Sequence, residues 1–167
     1  MIRAVTDSEP VGTLTENRHP VGAISAQFDG RLMFSAYRAI GRTPRKLDNV
    51  GVAKDDTVPR ARFLTFRADD TEAGDIDRTA QWRRSKQAAQ WLTLSVPISS
   101  WYAPNGELWR EGTIVTLVAP SIYLDDGYDL LVRAVEFGHG ADGPTASLTL
   151  VPPQVYTGED IDEPWLA

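Results

Sequence analysis

Three pairs of adjacent carboxylates, Asp55–Asp56, Asp69–Asp70 and Asp125–Asp126, have the side chains for acid–base work or for holding a metal. Their spacing argues against both. Adjacent residues of a strand point to opposite faces, so a pair in sequence is seldom a pair in space. Each pair also lies beside a turn signal or a helix start, where aspartate is favoured for its short-range hydrogen bonds. None has the spacing of a calcium-binding loop. His139, set between Gly138 and Gly140, is the other residue of catalytic type. A hydrolase needs a nucleophile and an orienting acid beside such a histidine, and no Gly-x-Ser-x-Gly marks one. The glycines at 138, 140 and 143 lack the following helix of a dinucleotide site. With no cysteine and two histidines, thiolate chemistry is excluded and little remains for zinc. No catalytic, cofactor-binding or metal residues are expected.

Two further groups suit binding. Trp101, Tyr102 and Trp109 flank the turn Pro104-Asn105-Gly106, whose Asn-Gly step tolerates positive φ. As an open platform they would stack on sugar rings. The same residues suit a core or a subunit interface. Arg78, Arg83, Arg84 and Lys86 form a basic stretch. It reads as a solvated helix face with an Asp75–Arg78 pair, or as a face for the acidic half of a neighbouring copy. Residues 1–90 carry 15 Lys and Arg against 12 Asp and Glu, whereas residues 91–167 carry 2 against 11. The first half is too mildly basic for nucleic acid, and the second would repel phosphate.

These residues need elements to position them. The chain of 167 residues is 42% hydrophobic and 24% charged, ordinary for a globular domain with a real core. No apolar run approaches the roughly 18 residues of a membrane span, and no signal sequence is expected. Residues 1–20 read as an extended segment. Residues 21–28 and 35–40 read as strands, 42–60 as a long loop, and 61–67 as a third strand. Residues 75–91, free of Pro and Gly and rich in Ala, Gln and Arg, predict the one long helix, with Asp70 or Thr71 as cap. Strands are expected at 92–98, 113–118, 128–137 and 145–151, with turns at Asp125-Asp126-Gly127 and at 138–143. Pro97 argues for an edge or a bulge. The fold class is therefore α+β and mainly β. An α+β domain at 21–91 precedes a small antiparallel β-barrel at 92–151, and an acidic extended tail follows at 152–167.

The run from Arg78 to Val151 resembles the C-terminal part of the baseplate hub proteins of Mu-like contractile-tailed phages. Ala80-Gln81-Trp82-Arg83-Arg84 carries the resemblance on the helix. Ser100-Trp101, Asn105-Gly106-Glu107-Leu108-Trp109 and Asp129 to Phe137 carry it further on. Upstream, Phe34-Ser35-Ala36-Tyr37 and Ile40-Gly41 resemble the family's strand pair before the helix, so the match covers about residues 21–157. The resemblance implies a tube-like barrel, a homotrimer and a structural, non-enzymatic role. It implies a chain that joins the tail tube to the central spike and to other baseplate proteins. It places the protein in the virion, assembled in the bacterial host cytoplasm, with DNA passing through a lumen without specific binding. Trp101, Asn105, Gly106, Trp109, Arg83 and Arg84 are the candidate interface and structural residues. A carbohydrate-binding β-module is the alternative. Family members are considerably longer, their additional part lying N-terminal.

Overall fold

The computed structural model describes residues 9–41, 50–68, 75–141 and 143–157. These fall into two compact units, one from residues 9–29 and 92–153, the other from 30–91 and 154–157. The expected Asp69–Asp70 pair and the Asp70 and Thr71 caps lie outside the described residues.

The first unit is a six-stranded sheet built from β1 (Thr13–Thr15), β2 (Ser25–Phe28), β6 (Leu92–Ile98), β7 (Ile114–Ala119), β8 (Leu124–Gly140) and β9 (Gly143–Val151), ordered β1-β7-β8-β9-β6-β2. β6 keeps the strict alternation of its sequence: Leu92, Leu94, Val96 and Ile98 are all buried. Leu94 pairs with Leu150, and Leu150 with Val132, so the apolar row crosses three strands. Closing such rows in a core is the main source of stability here, at roughly 25 cal/mol per Å² of apolar area. The expected barrel is not found. The sheet is open, because its ends are a three-residue strand parallel to β7 and a four-residue strand antiparallel to β6, and no ladder joins them. The first of these strands, β1, lies in the segment expected to be merely extended.

Two turn expectations are corrected. Asp125-Asp126-Gly127 lies inside β8, opposite a register shift between Leu117 and Ala119 of β7. A bulge selects the same residue types as a turn. The chain reverses instead through a 3₁₀ turn at Pro120–Ile122 that ends on Tyr123, at φ 62°. Likewise β8 runs through Gly138 and His139 to Gly140 and pairs with β9 from Gly143, so the glycine-rich stretch is mostly strand. Pro97 lies just past the β2–β6 ladder, which stops at Ser25 opposite Ser95. Its carbonyl accepts from Gly22 N at 2.8 Å, so its missing N–H faces the segment before β2, where only an isolated Val21–Ile98 bridge forms.

The second unit is a three-stranded sheet, ordered β4-β3-β5, with helix α1 on one face. Its strands are β3 (Ala36–Ile40), β4 (Val50–Lys54) and β5 (Phe63–Arg67), and α1 spans Ile76–Ala89. A short α2 (Gln154–Thr157) packs on α1. Strand β4 lies in the stretch expected to be a loop. Tyr37, Ala39, Ala53, Ala68, Ile76 and Ala80 form this unit's core, with Phe34, Leu64 and Phe66 against it. The small side chains let the helix backbone approach. A Cβ on Gly51 would lie 2.4 Å from the carbonyl oxygen of Ile76. Asp77 ties the helix start to β4, its carboxylate accepting from Val52 N at 3.2 Å.

Tyr37 is buried, and its hydroxyl accepts from Phe34 N at 3.1 Å and donates to the Leu32 carbonyl at 3.4 Å. Burial raises its pKa above the usual tyrosine value of 10.0. The unfolded chain ionises first as pH rises, so Tyr37 supports folding fully below pH 10 and loses that contribution above it. The expected result is alkaline melting of the second unit beyond pH 10. Tyr37→Phe should show a shallower alkaline fall in helix signal by circular dichroism, though it starts from lower stability. An equally steep fall in the variant would contradict this assignment.

Candidate functional site

Between β6 and β7 the chain makes an excursion that holds four of the six candidate residues. Tyr102 bridges Leu108, Ala103 N donates to the Glu107 carbonyl at 2.8 Å, and Trp109 N donates to the Trp101 carbonyl at 3.1 Å. At its tip Asn105 Oδ1 accepts from Glu107 N at 3.0 Å, while Gly106 takes φ 83°, a conformation that favours glycine. The two tryptophans then part. Trp109 is 2% exposed and its indole N–H meets no acceptor among the described residues. Tyr102 is 58% exposed. Trp101 is half-buried and turned toward the β8–β9 hairpin. A stack on sugar needs ring faces open to solvent. With Trp109 inside the core, the three aromatics form no such platform.

Trp101 has a different task. Its Nε1–H donates to Gly138 O at 2.9 Å and to Thr145 O at 3.0 Å. Gly138 and Thr145 are partners across the hairpin, so one indole fastens both strands at one rung. Its ring meets Phe137 edge-on at 6.4 Å and lies 6.0 Å from His139. From Glu136 to Gly140 β8 is exposed, with Phe137 47% exposed, while Ala146 and Leu148 on β9 are buried where β9 pairs with β6. Sequence reasoning missed Phe137, Gly138 and Thr145, because the glycines read as a loop. The available signal was the alternation of 128–137, which continues into them. Trp101→Phe keeps the ring and removes both bonds. It should speed amide exchange at residues 138–145 while costing only about 1 kcal/mol of global stability. Unchanged exchange there would show that the indole does not fasten the arm.

Arg83 and Arg84 both turn to their own sheet. Arg84 donates to the Lys54 carbonyl at 3.0 Å, and the Arg83 guanidinium stacks 5.5 Å from the centre of Phe66. Lys86 lies over Trp82 at 4.7 Å. The basic stretch therefore serves packing as well as solvation.

The residues of catalytic type stay apart. Asp55 closes a local turn by accepting from Thr57, and Asp125, Asp126 and His139 lie exposed on β8. A groove holds one pair with no signal in the local sequence: Ser99 Oγ lies 3.4 Å from His19 Nδ1. Ser99 also donates to the Pro20 carbonyl at 3.2 Å, and among the described residues no carboxylate orients His19. The pair thus lacks what a nucleophile–base system requires. Among the described residues no cluster of three His, Asp or Glu forms a metal site. No described helix is long and apolar enough to cross a membrane.

The fold of this chain, with its open β-sheet in one unit and its helix-backed small sheet in the other, is similar to that of solved tail proteins. The chain resembles the 43 kDa tail protein of prophage MuSo2 from Shewanella oneidensis. The TM-score is 0.74 at 21% identity, over 89% of this chain and 46% of that one. It also resembles the tail protein from Neisseria meningitidis MC58, with a TM-score of 0.76 at 19% identity, over 90% of this chain and 47% of that one. The chain thus spans less than half the length of these structures. No curated protein matches its sequence. Residues 71–159, just over half of the chain, match the fourth domain of the Mu phage baseplate assembly protein GpP. The chain belongs to that family.

Proposed function

We propose that this chain is a subunit of the baseplate hub, joining the tail tube to the central spike and to other baseplate proteins, and that it works as a homotrimer without catalysing a reaction. The observation that carries this reading is the clasped β8–β9 hairpin. Its two strands are fastened at one rung by the Trp101 indole, and it presents an exposed Phe137. A preorganised arm of this kind suits protein contacts, since little ordering cost remains on docking. The tube–spike joint needs such geometry and no reaction. The acidic second half suits a wall that DNA passes without sticking.

The test is protein mass spectrometry on purified particles, with copies counted against the tube protein. Trimer stoichiometry gives about three copies per particle. Absence from particles would reject the hub role.

A further inference from the structure

The β4-β3-β5 sheet turns one face to α1 and leaves the other open. Tyr37, Ala39 and Ala53 point into the core with the helix. Alternation therefore brings Ile40, Val52 and Phe63 to the open face, together with Arg38, Lys54 and Arg67. All six are exposed, Phe63 at 72% and Val52 at 49%. Register makes them neighbours, since Arg38 lies opposite Val52 and Ile40 opposite Arg67. The three strands contain no Asp or Glu, and none of these cations pairs with a carboxylate among the described residues. Exposed apolar side chains gathered on one face mark an interaction site, and here the charge on that face is all of one sign.

The first unit carries a patch of the opposite character. From Glu111 to Val132 the sequence holds four carboxylates and no Lys or Arg. Asp125 and Asp126 are exposed at the start of β8, and Tyr123, just before it, is 77% exposed. Neither aspartate pairs with a cation among the described residues. We propose that this corner of one copy docks on the open β4-β3-β5 face of the next. The Tyr123 ring lies against Val52 and Phe63, and the two carboxylates meet Arg38, Lys54 and Arg67. Tyrosine suits the task, because its ring buries apolar area, its hydroxyl stays wet and its face accepts a guanidinium. A second copy is the occupant because it supplies both the missing charge and the missing aromatic, and every copy presents both patches. Opposed charges of this kind fix the register of a contact more than its strength. The two patches differ, so the contact is heterologous, and such contacts repeated from copy to copy build a ring where the rotation closes. The inference rests on the homotrimer reading and names the contact between its copies.

The chain has no cysteine, which makes the test direct. Thr65→Cys places a thiol on the open face, and Ser121→Cys places one beside Tyr123, without removing any residue of the proposed contact. Full-length chains of the two kinds are mixed and oxidised mildly. The mixed disulfide is expected to form about tenfold faster than in a control that pairs Ser121→Cys with Gln81→Cys on α1, in keeping with the rate gain that complementary charge gives. Adding Asp125→Arg and Asp126→Arg to the Ser121→Cys chain should erase the advantage. Adding Arg38→Asp and Arg67→Asp to its Thr65→Cys partner should then restore it. Rates equal to the control overturn the proposal, as do a charge exchange that restores nothing and closure within single chains carrying both cysteines. Sedimentation separates this from the parent reading. A trimer that survives Asp125→Arg with Asp126→Arg removes this contact and leaves the trimer standing, whereas a chain that is monomeric alone and in particles removes both.

Discussion

Gly51→Ala is expected to unfold the second unit or nearly so. A methyl at that position would meet Ile76 O at 2.4 Å, Ile76 C at 2.5 Å and Asp77 N at 2.6 Å. All three are backbone atoms, so no side chain can swing aside. The strand or the helix must move, and both are tied together by the Asp77–Val52 bond. Overpacking costs about 1–3 kcal/mol when neighbours can adjust. Here the cost should reach the upper end or exceed it, a large share of a typical stability of about 5–15 kcal/mol. Urea denaturation followed by helix signal reads the loss. A midpoint within error of the parent would mean that α1 does not rest on Gly51.

Trp109→Ala is the counterpart in the first unit. The side chain is 2% exposed and closes the end of the sheet's core. Large aromatics replaced by alanine in cores cost about 3–5 kcal/mol. For a unit of this size the melting midpoint should fall by more than about 12 °C. Trp109→Phe should cost far less. It retains a ring and removes an indole N–H that has no acceptor among the described residues, relieving part of a penalty of about 1–3 kcal/mol. If both substitutions cost the same, the indole is satisfied after all and the site is not a plain core position.

These two residues also show what the sequence could and could not reveal. The helix was legible because residues 76–89 hold no breaker and many good formers. β5 and β6 were legible because their alternation uses large apolar side chains. β4 was hidden for the reason that makes Gly51 sensitive. Its inward positions are Gly51 and Ala53, the smallest residues available, so the period-2 signal vanishes where the helix comes nearest. The open sheet could not be told from a barrel, since closure depends on whether distant edges pair, and no local pattern encodes that. Trp101, Trp109, Asn105 and Gly106 were found as a group from spacing alone. Their division into a core residue, a clasp and a turn tip needed the third dimension, because two tryptophans eight residues apart carry the same local signal whether buried or not.

The order of strands along the chain sets a timetable for folding. The β8–β9 hairpin joins neighbours in sequence, and such local contacts form early. β1 and β2 come from the beginning of the chain, yet Thr13 pairs with Thr116 and Ser25 with Ser95. During synthesis at about 5–20 residues per second, β1 therefore waits seconds for a partner on the order of 100 residues later. All of 30–91 emerges in between and can associate by itself. The outer strands of the six-stranded sheet are thus the last to settle. Until they do, Leu14 and Val21, buried in the finished unit, remain open to a chaperone.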